Sequence, residues 1–575
     1  MKKTIFYLTL VSVLLIAWPY GDASACTNFL ITKGASADGS TMITYAADSH
    51  ELYGELVIIP AMRHAPGAKR IIWEWDTGKR LGEIDEAPET FRVVGNMNEF
   101  QVSIGETTYG GRKELENHKA VMDYGSLMYI ALQRAKTARE AVIVMGNLVS
   151  RYGYCSEGES FSISDPLEVW FMDMIGKGPG EKGAVWVARR VPDGYISAHA
   201  NQARIRKFPL HDKKNCLYAP DVISFARKKG YFKGKDSEFS FADTYAPLNF
   251  TGLRICEARV YSLFQRVAPS AKLSPDWVMG DAGAKPLPLW IKPDHKLSVQ
   301  DVMSLMRDHF EGTPMDLNKG EGAGPYDLPY RWRPLEWEVD GKKYFNERST
   351  STQQTGFSFI AQARSFLPDP IGGLLWFGVD DTFSTVYVPM YSGIRKAPHA
   401  YAVGTADFET FNWDSAFWVF NAVSNLAYTR YRDMIKDIQV VQAELEGGFL
   451  ARQADIEQAA IKLYRQAPEL ARDYLTNYSS SQAARVVARY RNLWPELFLR
   501  YLDGNVRDEH GKVTHPGYPE QWYRRIIKDS GDFYKMRRIP GEPEPEKKKK
   551  TPTTLSGDHN GAKQGCPPCG DGQQH

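Results

Sequence analysis

Residues 26–49 read CTNFLITKGASADGSTMITYAADS, and this stretch decides how the rest of the chain is read. Thr27 to Thr32 is a short, largely apolar run that predicts a strand. Lys33-Gly34-Ala35-Ser36-Ala37-Asp38-Gly39-Ser40 supplies turn residues, and a second strand is predicted through Met42 to Tyr45. The stretch is a β-hairpin that starts at Cys26. A strand holds its first residue rigidly, which a nucleophile needs if its sulfur is to meet a carbonyl at about 3–3.5 Å. Such hairpins also open ordinary sandwiches.

Upstream, Lys2 and Lys3 precede an apolar run from Ile5 to Trp18, and Ala23-Ser24-Ala25 places small residues at −3 and −1 of a signal-peptidase cut. The run is shorter than the roughly 18–20 residues of a membrane span. The expectation is an export signal over 1–25, whose removal leaves a periplasmic or extracellular chain with Cys26 first and no stable membrane span. A thiol of pKa about 8.5 is mostly protonated at neutral pH, whereas an α-amine of pKa about 7.7–8.0 is a usable base. A terminal Cys26 carries nucleophile and base on one residue, the logic of N-terminal-nucleophile (Ntn) hydrolases. The competing readings are a buried structural cysteine and a lipoprotein cysteine awaiting acylation, although Ala23 fits a lipobox poorly.

At 575 residues the chain exceeds one usual core, so more than one structural region is expected. Its 71 basic residues are matched by 69 acidic ones, which argues against a nucleic-acid partner and for a small one. Six cysteines do not make a dense disulfide framework, although an oxidising compartment permits one bridge among Cys155, Cys216 and Cys256. No HExxH, Walker A or GxSxG pattern occurs, so no metal or cofactor is implied.

Strands are predicted at Leu56 to Ile59, Arg92 to Val94, Phe161 to Ser164, Val169 to Met174, Ala184 to Ala188 and Tyr195 to His199. Two helices are predicted between Tyr124 and Tyr152, the second capped by Thr137 with Glu140 three residues on. A further helix is read over Ser298 to His309, then strands at 356–360, 374–378 and 385–389. Strand-rich segments with a helix-rich insertion indicate an α+β layered fold.

The hairpin resembles the mature start of the secreted dipeptidase A family, cysteine-type Ntn hydrolases related to choloylglycine hydrolases and penicillin V acylases. Members show a Cys-Thr opening, an Ala-Ser-x-Asp-Gly-Ser turn and an Arg-Asn-x-Asp segment. Here the last reads Tyr45-Ala46-Ala47-Asp48, so the aspartate is kept and tyrosine stands at the arginine position. A tyrosine donates one hydrogen bond but carries no positive charge. The resemblance extends over about the first 390 residues, through Gln362–Pro368 and Tyr387–Tyr391, and implies the four-layer αββα Ntn sandwich over 26–410. It also implies attack by Cys26 and oxyanion stabilisation by Asn201 with a backbone N–H near Thr107, which otherwise reads with Glu106 as a strand end. Asp48 would orient the cysteine amine or bind a substrate ammonium. Arg259 would lower the thiol pKa, although an arginine on an amphipathic helix is commonly a solvated face. His199 opens a papain-like Cys-His alternative, but an Ntn cysteine has its own amine, so a structural histidine is expected.

Beyond Phe411 the pattern is helical to about residue 539. Ala427, Tyr431, Met434, Ile435, Ile438, Val441 and Leu445 form a stripe that Gly447-Gly448 is expected to stop, and Ser479-Ser480-Ser481-Gln482 reads as a capping box. The stripes suit a core or, alternatively, a homo-oligomer surface. The tail over 540–575 is low-complexity and expected to be disordered, and Cys566-Pro-Pro-Cys569 has only two of the four ligands of a structural zinc site. These readings lead to an exported cysteine dipeptidase acting on small peptides. An acylase for another small amide, or a surface lipoprotein that binds peptides without cutting them, is the alternative.

Overall fold

A computed structural model describes residues 26–49, 52–281 and 283–541; the export signal and the Cys566–Cys569 motif lie outside them. The chain opens with β1 (Asn28–Ile31), β2 (Thr41–Asp48), β3 (Ile58–Ile59), β4 (Val93–Val94), β5 (Met97–Asn98) and β6 (Ser103–Tyr109). Helices α1 (Tyr124–Arg134) and α2 (Ala138–Tyr152) precede β7 (Gly158–Ser164), β8 (Val169–Gly176), β9 (Ala184–Arg190), β10 (Ile196–His199) and β11 (Cys216–Tyr218). Then come α3 (Ala258–Val267), β12 (Trp290–Ile291), α4 (Val299–Met306), β13 (Thr355–Ala363), β14 (Leu374–Val379) and β15 (Val388–Tyr391). The last helices of this region are α5 (Ala416–Tyr428), α6 (Tyr431–Gln466) and α7 (Pro468–Arg500).

Two antiparallel sheets result, in the orders β12-β10-β1-β2-β13-β14-β15 and β11-β9-β8-β7-β6-β5-β4-β3. Strand β8 shows how they are layered, since alternate residues point to opposite faces. Val169, Phe171 and Ile175 enter the core shared with the first sheet, whereas Trp170, Met172 and Met174 pack against the cluster built by α1 and α2. On the far face of the first sheet, α4 lies on β13, α5 on β14 and α7 on β15. The order is helix, sheet, sheet, helix: an α+β fold of four layers.

Local chemistry sets the helix starts. The Asp123 carboxylate accepts from Ser126 N–H, Thr137 Oγ1 accepts from Glu140 N–H, and Ser298 and Asp301 form a reciprocal box. Tertiary packing overrides three other expectations. Gly447-Gly448 does not stop α6, which runs on to Gln466. Each glycine costs about 1 kcal/mol in a helix, but Glu446, Phe449 and Glu457 continue a buried face, and Glu446 and Glu457 pair with Arg307 and Arg364 at 2.6 Å each. Ser479–Gln482 lies inside α7, whose start is set by Pro468 at its first turn; Ser481 Oγ donates back to Tyr478 O at 2.8 Å instead of capping. The last strand begins at Val388 and not Thr385, because Tyr387 N–H is drawn to Glu446 Oε1 at 2.9 Å and Thr385 Oγ1 to Val379 O at 2.7 Å.

The stripe from Ala427 to Leu445 is buried in the main core. Cys155, Cys216 and Cys256 are buried free thiols, so the bridge that an oxidising compartment would permit is not formed. Among the described residues no helix is long and apolar enough to cross a membrane. The described residues 519–541 belong to a second unit, in which Glu520–Ser530 is helical and carries an i,i+4 pair, Arg525 to Asp529.

Candidate active site

Cys26 sits where the two sheets meet at an open edge. Strand β5 pairs with β6 only at Ser103, so β6 beyond that residue has no strand partner on this side among the described residues. The start of β1 fills the gap with a side chain. With its amide turned so that both ends are satisfied, Asn28 donates to Glu106 O and Thr27 O and accepts from Glu106 N–H, each at 3.0 Å. Gly105 allows the approach, since a Cβ there would stand 2.7 Å from the Asn28 side-chain amide and 3.1 Å from Tyr45 Cβ.

Cys26 is 1% exposed. Its thiol faces Glu106 Oε1 at 3.6 Å and Tyr45 Oη at 3.9 Å, and the Tyr45 hydroxyl donates to the same Glu106 oxygen. Burial pushes the thiol pKa well up, Glu106 and Asp48 add to the shift, and the Asp48 backbone N–H and the Arg348 charge oppose it. The sulfur of the full chain, whose Cys26 nitrogen is an amide joined to Ala25, is therefore a protonated thiol.

Arg259, expected to act on the thiol, lies beside Cys26. It lies just past a π-helical turn, Gly252–Glu257, at the start of α3, and it grips backbone and side chains around the cysteine instead of the sulfur. Nη1 donates to Cys26 O at 2.7 Å and Thr27 Oγ1 at 2.8 Å, while Nη2 donates to Asn201 Oδ1 at 2.9 Å and Ala200 O at 3.2 Å. The Arg348 charge is among the influences that oppose the thiol shift. Asn201 holds a left-handed backbone, φ 57°, which asparagine tolerates, and its Nδ2 donates to Thr108 O at 2.6 Å.

Asp48, at the end of β2, is fully buried and accepts from Arg348 Nη2 at 2.7 Å and Thr355 Oγ1 at 2.6 Å. Burial outweighs this pairing for both partners: the Asp48 carboxyl is pushed up to about 6 and the Arg348 guanidinium down to about 9. Thr107 turns its hydroxyl to His199 Nδ1 at 2.7 Å, and Ser162 Oγ meets Nε2 at 2.7 Å. His199 also stacks on Phe171 with centroids 4.8 Å apart, and burial followed by the Arg204 charge holds its pKa well below the usual range. It is a neutral structural histidine clasped between the sheets, and the Cys-His alternative loses its base.

Cys26, Tyr45, Asp48, Asn201 and Arg259 thus form one neighbourhood, with Thr107 on the adjoining strand. Sequence reading missed Arg348, which lies 300 residues from Asp48 and shows no spacing signal. It also missed Glu159. A signal for that residue exists: Glu159 shares a strand face with Phe161 and Ile163, as Glu106 does with Ile104, so each acid interrupts a buried apolar line.

Residues 65–444 match the model of peptidase family C69. The matched segment begins after the hairpin and ends inside α6. Among curated relatives, a probable dipeptidase of Salmonella dublin is 27% identical over 390 residues, 65% of this chain and 82% of its own length. A probable dipeptidase of Latilactobacillus sakei is 24% identical over 430 residues, 71% of this chain and 82% of its own. Probable dipeptidase B of Streptococcus pyogenes serotype M1 is 22% identical over 495 residues, 82% of this chain and 92% of its own. With a family match over most of its length, the chain belongs to peptidase family C69 and is a peptide hydrolase.

Proposed function

We propose that this protein is an exported cysteine dipeptidase whose nucleophile, Cys26, is activated by removal of residues 1–25. The observation that carries the reading is the grip of Arg259, which holds the Cys26 carbonyl and the Asn201 amide with one guanidinium. Nucleophile and oxyanion donor are thereby kept in fixed relation, as near-attack geometry requires. The names of the relatives favour dipeptides as substrates.

Cleavage before Cys26 turns an amide into an α-amine, a base on the same residue as the thiol. The amine takes the thiol proton, sulfur attacks the peptide carbonyl, and Asn201 with a backbone N–H beside Thr107 stabilises the oxyanion. The ammonium then protonates the leaving nitrogen, and water releases the acyl group from the thioester. Asp48 and Arg348 orient the new amine through the Asp48 backbone beside the sulfur.

N-terminal sequencing of the secreted protein, followed by turnover of dipeptides, longer peptides and acyl amides by the processed chain, tests the proposal. The expected result is an unmodified Cys26 at the start and a preference for dipeptides. A lipid-blocked cysteine, or full activity in Cys26→Ser, overturns it.

A further inference from the structure

Beside the thiol stand two acids that the mechanism above does not use. Glu106 and Glu159 are 1% and 0% exposed and hydrogen-bond one another. Glu106 Oε1 takes the Tyr45 hydroxyl and faces the thiol, and Glu159 Oε1 takes Thr108 Oγ1 at 2.8 Å. Glu106 Oε2 and Glu159 Oε2 receive no donor from any other described residue, and neither acid has an ion-pair partner among the described residues. The Tyr154 hydroxyl is buried and near enough to Glu159 to feel its charge. Buried carboxylates are ordinarily paired with a cation, and two that share one proton keep one negative charge. Here that charge lies against the nucleophile with no cationic side chain paired to it among the described residues, and Asp76 at the surface adds to the same field.

We infer that Glu106, supported by Glu159, is the receptor for the free α-ammonium of the residue whose carbonyl Cys26 attacks, which restricts the enzyme to substrates with an unblocked amino terminus. The inference rests on the proposed role of Cys26. The distances agree with it. Sulfur stands about 3–3.5 Å from the carbonyl carbon at attack, and the α-nitrogen is about 2.5 Å from that carbon. A carboxylate oxygen 3.6 Å from the sulfur is thus within hydrogen-bond reach of the α-nitrogen. Asp48 is the weaker candidate, because Arg348 already neutralises it. The ammonium brings the single positive charge the Glu106–Glu159 pair lacks, and the Tyr45 hydroxyl fixes the oxygen that receives it.

The test uses the processed wild-type chain with L-alanyl-L-alanine, its N-acetyl derivative and the lactoyl analogue in which a hydroxyl replaces the amine. The expected result is kcat/KM lower by roughly 100-fold or more for the two uncharged substrates, as when a buried charge is left unpaired. Glu106→Gln should lose a comparable factor on the free dipeptide and leave the N-acetyl substrate within a few-fold, so that discrimination collapses. Equal turnover of all three substrates by the wild type overturns the inference. So does an equal loss on all three in Glu106→Gln, which marks a residue that only positions Tyr45 and the thiol. If Glu106→Gln does not fold, Glu159→Gln and the wild-type comparison decide. Absence of any dipeptide turnover by the processed chain removes the Cys26 reading itself, whereas turnover without amino-terminal discrimination removes only this one.

Discussion

Two sets of buried acids near Cys26 stand in opposite states. In one, Asp48 is paired with Arg348 and bonded to Thr355, so its charge is internally balanced. In the other, Glu106 and Glu159 have each other, two hydroxyl donors and no cation among the described residues. The balanced set holds the chain at the cysteine. The unbalanced one is a place for a charge that arrives from outside, since a buried pair of acids without a cation adds little to stability by itself.

Breaking the shared centre should have the largest effect. Cys26→Ala removes the thiol near which both sets stand, and dipeptide turnover should fall to background while far-UV circular dichroism and the melting transition are retained. Next is the balanced set. Arg348→Met leaves Asp48 as a buried, uncompensated carboxylate and should cost about 3–5 kcal/mol in denaturant unfolding. Adding Asp48→Asn should recover much of that loss, because the two residues are coupled and not additive.

The Asp48 carboxyl offers a third measurement. Its folded pKa, about 6, lies above the ordinary aspartate value, so the folded state binds this proton more tightly than the unfolded chain does. Its contribution is fully present below about pH 4 and is lost as pH rises to about 6, a change on the order of 3 kcal/mol. Asp48→Asn should show a flatter stability profile than the wild type across that window. The smallest effect sharpens the other set. Gly105→Ala puts a Cβ against Asn28 and Tyr45, should cost about 1–3 kcal/mol, and should displace the Tyr45 hydroxyl from Glu106, read as a change in tyrosine absorbance.

Much of this was legible in the chain. The hairpin from Cys26 and the cap at Thr137 rest on short-range patterns, whereas Asp48, Asn201 and Arg259 were singled out by the family resemblance, and the structure places those three in one neighbourhood with Cys26. Signals that compete with burial misled. Gly447-Gly448 and Ser479–Gln482 have stop and start chemistry worth about 1 kcal/mol each, and α6 and α7 override both with buried faces and ion pairs to Arg307 and Arg364.

Local sequence by itself determined the opening hairpin and the capped helix start at Thr137, because turns, caps and alternation act over a few residues. It also placed a cysteine behind a cleavable-looking leader. Only the tertiary structure decided which charges neighbour that cysteine. Arg348 reaches Asp48 across 300 residues and Glu106 reaches the thiol across 80, and electrostatic energy depends on distance in space and on exclusion of water, neither of which is written in separation along the chain.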